Sequence, residues 1–193
     1  MKYDLSKKPG RSAKRTLHAF KDTMFFLLSV HPFEELTVNM ICEQADYPRT
    51  TFYNYFDDKY DLLNYCWIWL SGELHLEEHR ALSQNEILYL FFDKLFDFFE
   101  RKQDIIHQIL KNNPQTGYMF SSFRSFMNRL VRMIFEHSSS ASDCPVPREL
   151  IADHYSNTLL LVCQWVGWFN PVCTRATAHE YLNYLIGDLQ QKG

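Results

Sequence analysis

From Leu17 to Leu189 the apolar residues return every third or fourth position, in run after run. That period lays the apolar side chains along one stripe of a helix, because a helical turn takes 3.6 residues. A strand would need alternation at every second residue. Breakers are scarce, with 6 glycines and 7 prolines in 193 residues. The pattern therefore dictates an all-α chain. A hydrophobic content of 46% and an aromatic content of 16% supply the surface to pack it into a globule.

The punctuation sets the helix bounds. A first helix, Arg11–Val30, is carried by Leu17, Phe20, Met24, Leu27 and Leu28. It stops at His31-Pro32, since the residue before proline avoids helical backbone. Thr37 is placed to cap a second helix, Val38–Gln44, with a stripe of Val38, Ile41, Cys42 and Ala45. Asp46-Tyr47 makes a tight turn. A third helix runs from Pro48 to Tyr55, with the proline in the first turn, where its missing N–H costs nothing. Asp57 or Asp58 caps a fourth that reaches Arg80. Ser83 opens a fifth whose Leu88, Phe91, Phe92, Leu95, Phe98 and Phe99 nearly encircle the axis, so it is buried on several sides. Then come Lys102–Asn112, Gly117–His137 and Pro147–Phe169, and a last helix capped by Thr174 that runs to Gln190. The Ser- and Pro-rich Ser138–Pro147 is a loop. On Pro147–Phe169 one stripe passes through Tyr155, Leu159, Val162, Val166 and Phe169, and a second through Leu161, Trp165 and Trp168.

The net charge is −3, but it is unevenly spread. Met1–Lys21 holds seven basic residues against the single acid Asp4, a net of +6, which leaves −9 for the rest. A basic arm on an acidic body suits one end that meets a polyanion and one that meets something else. Lys7, Lys8, Arg11, Lys14 and Arg15 are the candidate phosphate contacts. None of the five cysteines forms a C-x-x-C pair, and they read as reduced, packed thiols. The charged N-terminus has no signal-peptide core. The run Leu159–Phe169 is broken by Gln164 and falls short of the ~20 residues a bilayer needs. A cytoplasmic protein with no membrane partner is expected. His75 and His79 lie one turn apart beside Glu78, but the spacing is not that of a metal-binding helix. They read as a solvated face, and no metal is expected. There is no Gly-rich phosphate loop and no nucleophile elbow, so neither an enzyme nor a cofactor is expected.

Chemistry concentrates between Thr37 and Phe56: a short helix, a tight turn, and a second short helix with polar residues near its start. A helix that reads DNA must be slim and polar enough to enter the ~12 Å major groove while its back packs on the helix before it. Phe52 and Phe56 face inward on that geometry, and Arg49, Thr50, Thr51, Tyr53 and Asn54 face outward. Arg can pair with guanine through two hydrogen bonds, Thr can touch a thymine methyl or a phosphate, and Tyr and Asn suit phosphate oxygens.

This segment resembles the DNA-binding signature of the TetR family. The threonine opening helix two, the T-F-Y-x-Y-F run Thr51–Phe56, and Lys59 three residues beyond Phe56 carry the likeness, which spans about residues 11 to 65. It departs from the pattern at Asp46, where the family usually has glycine, and at Pro48, where serine often caps the recognition helix. Asp tolerates left-handed backbone better than most residues.

The resemblance implies an N-terminal three-helix DNA-binding domain, residues 1–58, and a C-terminal helical effector and dimerisation domain, residues 59–193. It implies DNA contacts at Thr37, Arg49, Thr50, Thr51, Tyr53, Asn54 and Lys59. Lys59 would lie in the first turn of helix four, where the helix dipole also favours a phosphate. Tyr55 is expected in the core. The implied assembly is a homodimer on a near-palindromic stretch of double-stranded DNA, joined through the last two helices at Leu161, Trp165, Trp168, Tyr181 and Leu185. Phe91, Phe92, Phe123, Met127 and Trp165 are the candidate effector contacts, with Met119 and Met133 as adaptable apolar neighbours. Two readings stay open. One is a repressor released by a small apolar effector. The other is a regulator governed by a protein partner through its aromatic body, which could then activate.

Overall fold

The computed structural model of the chain describes residues 9–74, 84–136, 146–166 and 173–187. The expectations for Lys7, Lys8, His75, Glu78, His79, Trp168 and Phe169 lie outside the described residues. Among the described residues the structure is helical throughout: α1 Arg11–Val30, a 3-10 turn Phe33–Glu35, α2 Val38–Ala45, α3 Arg49–Tyr55, α4 Lys59–Leu74, α5 Gln84–Arg101, α6 Gln103–Asn112, α7 Tyr118–Glu136, α8 Arg148–Gln164 and α9 Arg175–Gly187. The all-α expectation holds.

The caps follow from short polar side chains at helix starts, where the first N–H groups lack partners. Thr37 Oγ1 accepts from the Met40 N–H at 3.2 Å. Asp58 Oδ1 accepts from the Asp61 N–H at 2.9 Å, and Asp61 Oδ2 reaches back to the Asp57 N–H at 3.0 Å. Asp58 is therefore the cap of α4. Thr174 Oγ1 accepts from the Thr177 N–H at 3.3 Å.

Two compact units emerge, Met1–Leu70 with Asp104–Ser122, and Ser71–Gln103 with Phe123–Gly193. The expected domain boundary at 58/59 falls inside the first unit. Compactness adds most of α4 and α6 and the start of α7 to the same unit.

In the first unit, Leu17, Phe20, Met24, Leu27 and Leu28 of α1 are buried, as their spacing requires. Phe20 is the hub. Its ring lies 5.4 Å from Phe52 and 5.9 Å from Phe56, edge-to-face in both cases, and 5.4 Å from Tyr47. Such geometry adds to the area that each ring removes from water. The 3-10 turn after α1 is tied down by residues eighty positions away. The buried Asn113 accepts from the Phe33 N–H at 2.8 Å and donates to the carbonyls of Leu28 at 2.9 Å and Ile109 at 2.8 Å. Glu34 Oε1 accepts from the Tyr118 N–H, the first of α7, at 2.8 Å.

In the second unit, α5 and α9 are joined by a ladder of polar pairs with helical spacing: Tyr89 with Asn183, Asp93 with His179 and Asp97 with Arg175. The numbers rise by four on one helix and fall by four on the other, which is the register of two antiparallel helices. On α7 and α8, Asp153 accepts from Arg132 at 3.1 Å while the buried Ser156 bonds to Asn128. Helix α8 and the two residues that follow it bury Tyr155, Leu159, Val162 and Val166, and leave Leu161 and Trp165 exposed. Helix α9 buries Ala178, Leu182 and Ile186, and leaves Tyr181, Tyr184 and Leu185 exposed.

Candidate nucleic-acid interface

The turn between α2 and α3 is closed by backbone. Asp46 takes left-handed geometry, φ 56° and ψ 45°. Its N–H donates to the Glu43 carbonyl at 3.3 Å, and the Tyr47 N–H donates to the Cys42 carbonyl at 3.1 Å. This pair of bonds is the Schellman ending of a helix, which normally places glycine at the Asp46 position. Tyr47, just past it, lies on Phe20 and pins the turn to the core. Pro48 sits one position earlier than its sequence context suggested. It is the N-cap of α3, with extended backbone, and its carbonyl accepts from the N–H groups of Thr51 at 2.9 Å and Phe52 at 3.2 Å.

Helix α3 is anchored by Phe52 on its inner side, with Phe56 just beyond its end, both fully buried. Arg49, Thr50 and Asn54 are exposed, and Thr51 and Tyr53 half-buried. The Tyr53 ring packs edge-on against Phe52 at 5.5 Å. Its hydroxyl accepts from an Arg49 Nη at 3.4 Å, and the guanidinium carbon lies 5.8 Å from the centre of the ring. That hydrogen bond raises the Arg49 pKa further. Tyr55 is half-buried and tilted against Phe56, so it edges the core without entering it. Thr37 is exposed at the start of α2, its hydroxyl spent on the cap. A concavity of about 370 Å³ lies beside α3, lined by Asn39, Cys42, Glu43, Asp46, Tyr47, Pro48 and Arg49. Burial raises the Cys42 thiol, and the charge of Arg49 pulls it partly back.

Two basic residues are placed otherwise than their charge suggested. Lys59 Nζ donates to three carbonyls, Phe33 at 2.9 Å, Glu34 at 3.0 Å and Leu36 at 2.8 Å. An ammonium has three N–H bonds, so none is left for a phosphate. The nitrogen also lies 4.8 Å from the Phe33 ring, and burial lowers its pKa against the opposing pull of Glu34. In this structure the Lys59 ammonium is thus a clasp on the 3-10 turn. Lys21, counted with the basic arm, is buried, 2.6 Å from Asp22 Oδ1 and 3.9 Å from the centre of the Trp69 ring. Arg11, Lys14 and Arg15 are exposed on the first two turns of α1.

In the second unit, Phe91, Phe92, Phe123 and Met127 are all buried, and Phe92 meets His179 edge-on at 5.5 Å. Trp165 is 52% exposed and so shares the surface of α8 with Leu161. Among the described residues no group of histidine, cysteine and carboxylate side chains is arranged to hold a metal, and no helix is long and apolar enough to cross a membrane.

Residues 26–66 match the model of the bacterial regulatory proteins of the tetR family. No curated protein matches the chain. Among solved structures, a TetR-like transcriptional regulator from Rhodococcus sp. RHA1 is similar at a TM-score of 0.59 and 19% identity, over 96% of this chain and 100% of that one. The transcriptional regulator FadR from Bacillus subtilis, in complex with stearoyl-CoA, is similar at a TM-score of 0.55 and 16% identity, over 88% of this chain and 97% of that one. The matched segment takes in the turn at Asp46, all of α3 and the start of α4, so this part of the chain is similar to the bacterial regulatory proteins of the tetR family, and the helical fold is shared along the chain.

Proposed function

We propose that the chain is a dimeric repressor that holds DNA through the outer face of α3 and releases it when an apolar effector occupies the second unit. One observation carries this reading. Helix α3 is locked to the core by Phe52, with Phe56 beside it, and leaves Arg49, Thr50 and Asn54 exposed and Thr51 and Tyr53 half-exposed. In this reading Arg49 pairs with a guanine edge, and the two threonines and Asn54 meet a thymine methyl or phosphates. Arg11, Lys14 and Arg15, with Lys7 and Lys8 before them, add sequence-independent attraction. In this reading the exposed Thr37 at the start of α2 also meets a phosphate.

The exposed Leu161 and Trp165 of α8 and Tyr181 and Leu185 of α9 are the dimer face. Two copies would present two α3 helices to half-sites about 34–36 Å apart, and hence to a near-palindrome. The similar FadR was solved with stearoyl-CoA. That is compatible with an apolar effector meeting Phe91, Phe92, Phe123 and Met127. An effector that prefers the form with the wrong spacing of the two α3 helices lowers DNA affinity by linkage.

The test begins with selection of duplexes from a random pool by the full chain. A near-palindromic consensus is expected, and Arg49→Ala should relax preference at one base pair per half-site by about 1–3 kcal/mol. Enrichment of no sequence, or an unchanged preference in the variant, refutes the reading of α3. A thermal-shift screen with apolar small molecules tests the effector, which should raise the melting temperature as it weakens DNA binding. A protein that co-purifies and alters DNA binding while no small molecule does would favour control by a partner.

A further inference from the structure

We infer that Tyr53 is a positioning residue for base reading: it holds the Arg49 guanidinium in its groove-facing pose. This rests on the reading of Arg49 as the residue that meets a base.

The two side chains lie one turn apart on the same face of α3, the i to i+4 spacing at which helical side chains meet. Tyr53 offers two attractions to one cation. The hydroxyl accepts from Nη at 3.4 Å, and the ring face lies 5.8 Å from the guanidinium carbon. Tyr53 is itself held, since its ring packs at 90° against the fully buried Phe52. The chain of support thus runs from the core through Phe52 and Tyr53 to an exposed cation.

The support matters because Arg49 has a competing destination. It lines the same concavity as Glu43 and Asp46, two carboxylates that would neutralise it. Among the described residues no ion pair to either is formed, and the guanidinium is turned to Tyr53 instead. A guanidinium carries five N–H donors, so a bond to one hydroxyl leaves a pair of donors for the two acceptors on a guanine edge. Pre-ordering the side chain removes the rotamer entropy that binding would otherwise lose. Without the hydroxyl, Arg49 would spend more of its time toward Glu43 and Asp46, and discrimination at its base pair would fall.

The experiment is a double-mutant cycle on the full chain, read against the selected duplex and its single-base variants. Tyr53→Phe keeps the ring on Phe52 and removes only the hydroxyl, so the fold is preserved. The expected result is a loss of about two- to tenfold in discrimination at the base pair that Arg49→Ala affects, the modest net worth of one exposed hydrogen bond. Affinity for unrelated duplex should fall by less than the discrimination does. In the double variant Tyr53→Phe should add nothing to Arg49→Ala, and Glu43→Gln should restore part of the discrimination lost in Tyr53→Phe. If Tyr53→Phe weakens binding to every sequence alike, or adds its full loss to Arg49→Ala, Tyr53 acts on DNA without acting through Arg49 and the inference fails alone. If Arg49→Ala leaves base preference intact, the underlying reading of Arg49 fails and takes the inference with it.

Discussion

Asp46 shows how a single residue can meet a geometric demand at some cost. The Schellman turn needs left-handed backbone, and φ at Asp46 is 56°. For most L-residues this conformation costs roughly 1–2 kcal/mol, and Asp softens that penalty without removing it. Asp46→Gly should therefore stabilise the chain by about 0.5–1 kcal/mol, seen as a higher denaturant midpoint with an unchanged slope. Asp46→Val should lose more than 1 kcal/mol. Equal midpoints for the three residues would contradict the strain argument. Lys59 makes the opposite point, that charge alone does not assign a role. Its three N–H bonds are spent on the carbonyls of Phe33, Glu34 and Leu36. Lys59→Met should lower stability by about 1–3 kcal/mol through those orphaned carbonyls. It should leave the slope of log K against log salt unchanged, whereas loss of a true phosphate contact would flatten that slope by roughly one unit.

At the scale of the element, local rules carried the reading far. Helix α1 begins and ends at Arg11 and Val30, as its stripe and the His31-Pro32 stop demand. The caps at Thr37 and Thr174 follow from side chains that reach three residues along the chain. The outward face of α3 was legible for the same reason, since Phe52 and Phe56 leave only one way for Arg49, Thr50 and Asn54 to point. What sequence could not reveal is long-range partnership. Asn112-Asn113-Pro114 reads only as a helix end, yet Asn113 bonds to residues eighty positions earlier. No periodicity encodes that pairing, nor the one between Glu34 and Tyr118. The junction it makes can be tested directly. Asn113 serves as acceptor for one N–H and donor to two carbonyls, and it is buried. Asn113→Ala should cost about 2–4 kcal/mol, since each buried group left unpaired costs about 1–3. Asn113→Asp keeps the acceptor but sets a carboxylate against the oxygens of Leu28 and Ile109, so at neutral pH it should be no milder. A chemical melt of both variants decides the point, and an Asp variant as stable as the parent would refute the network. Gly117 belongs to the same junction, because a methyl group there would meet Glu34 Oε1 at 3.0 Å.

At the scale of the whole molecule, the apolar surface left on α8 and α9 has to be accounted for. Leu161 is 54% exposed, Trp165 52% and Tyr184 77%, each on a helix whose opposite side is well buried. Solitary exposed apolar residues need no explanation, but a row of large ones on two neighbouring helices is what the proposed dimer would cover. A second copy of the same face is the simplest occupant, since a two-fold interface pairs a patch with itself. Substituting charge there should separate the copies without touching the buried stripe of Tyr155, Leu159, Ala178 and Leu182. The double variant Trp165→Glu with Tyr184→Glu should sediment as a monomer at micromolar concentration and keep its helical circular dichroism. Its affinity for a duplex with two half-sites should fall by about 10²–10⁴-fold, the gain that joining two binding events confers, while its weak affinity for one half-site persists. A variant that remains a dimer would move the interface elsewhere. A parent chain that is already monomeric would leave α3 to bind a single half-site, and the near-palindrome expected from selection would not appear.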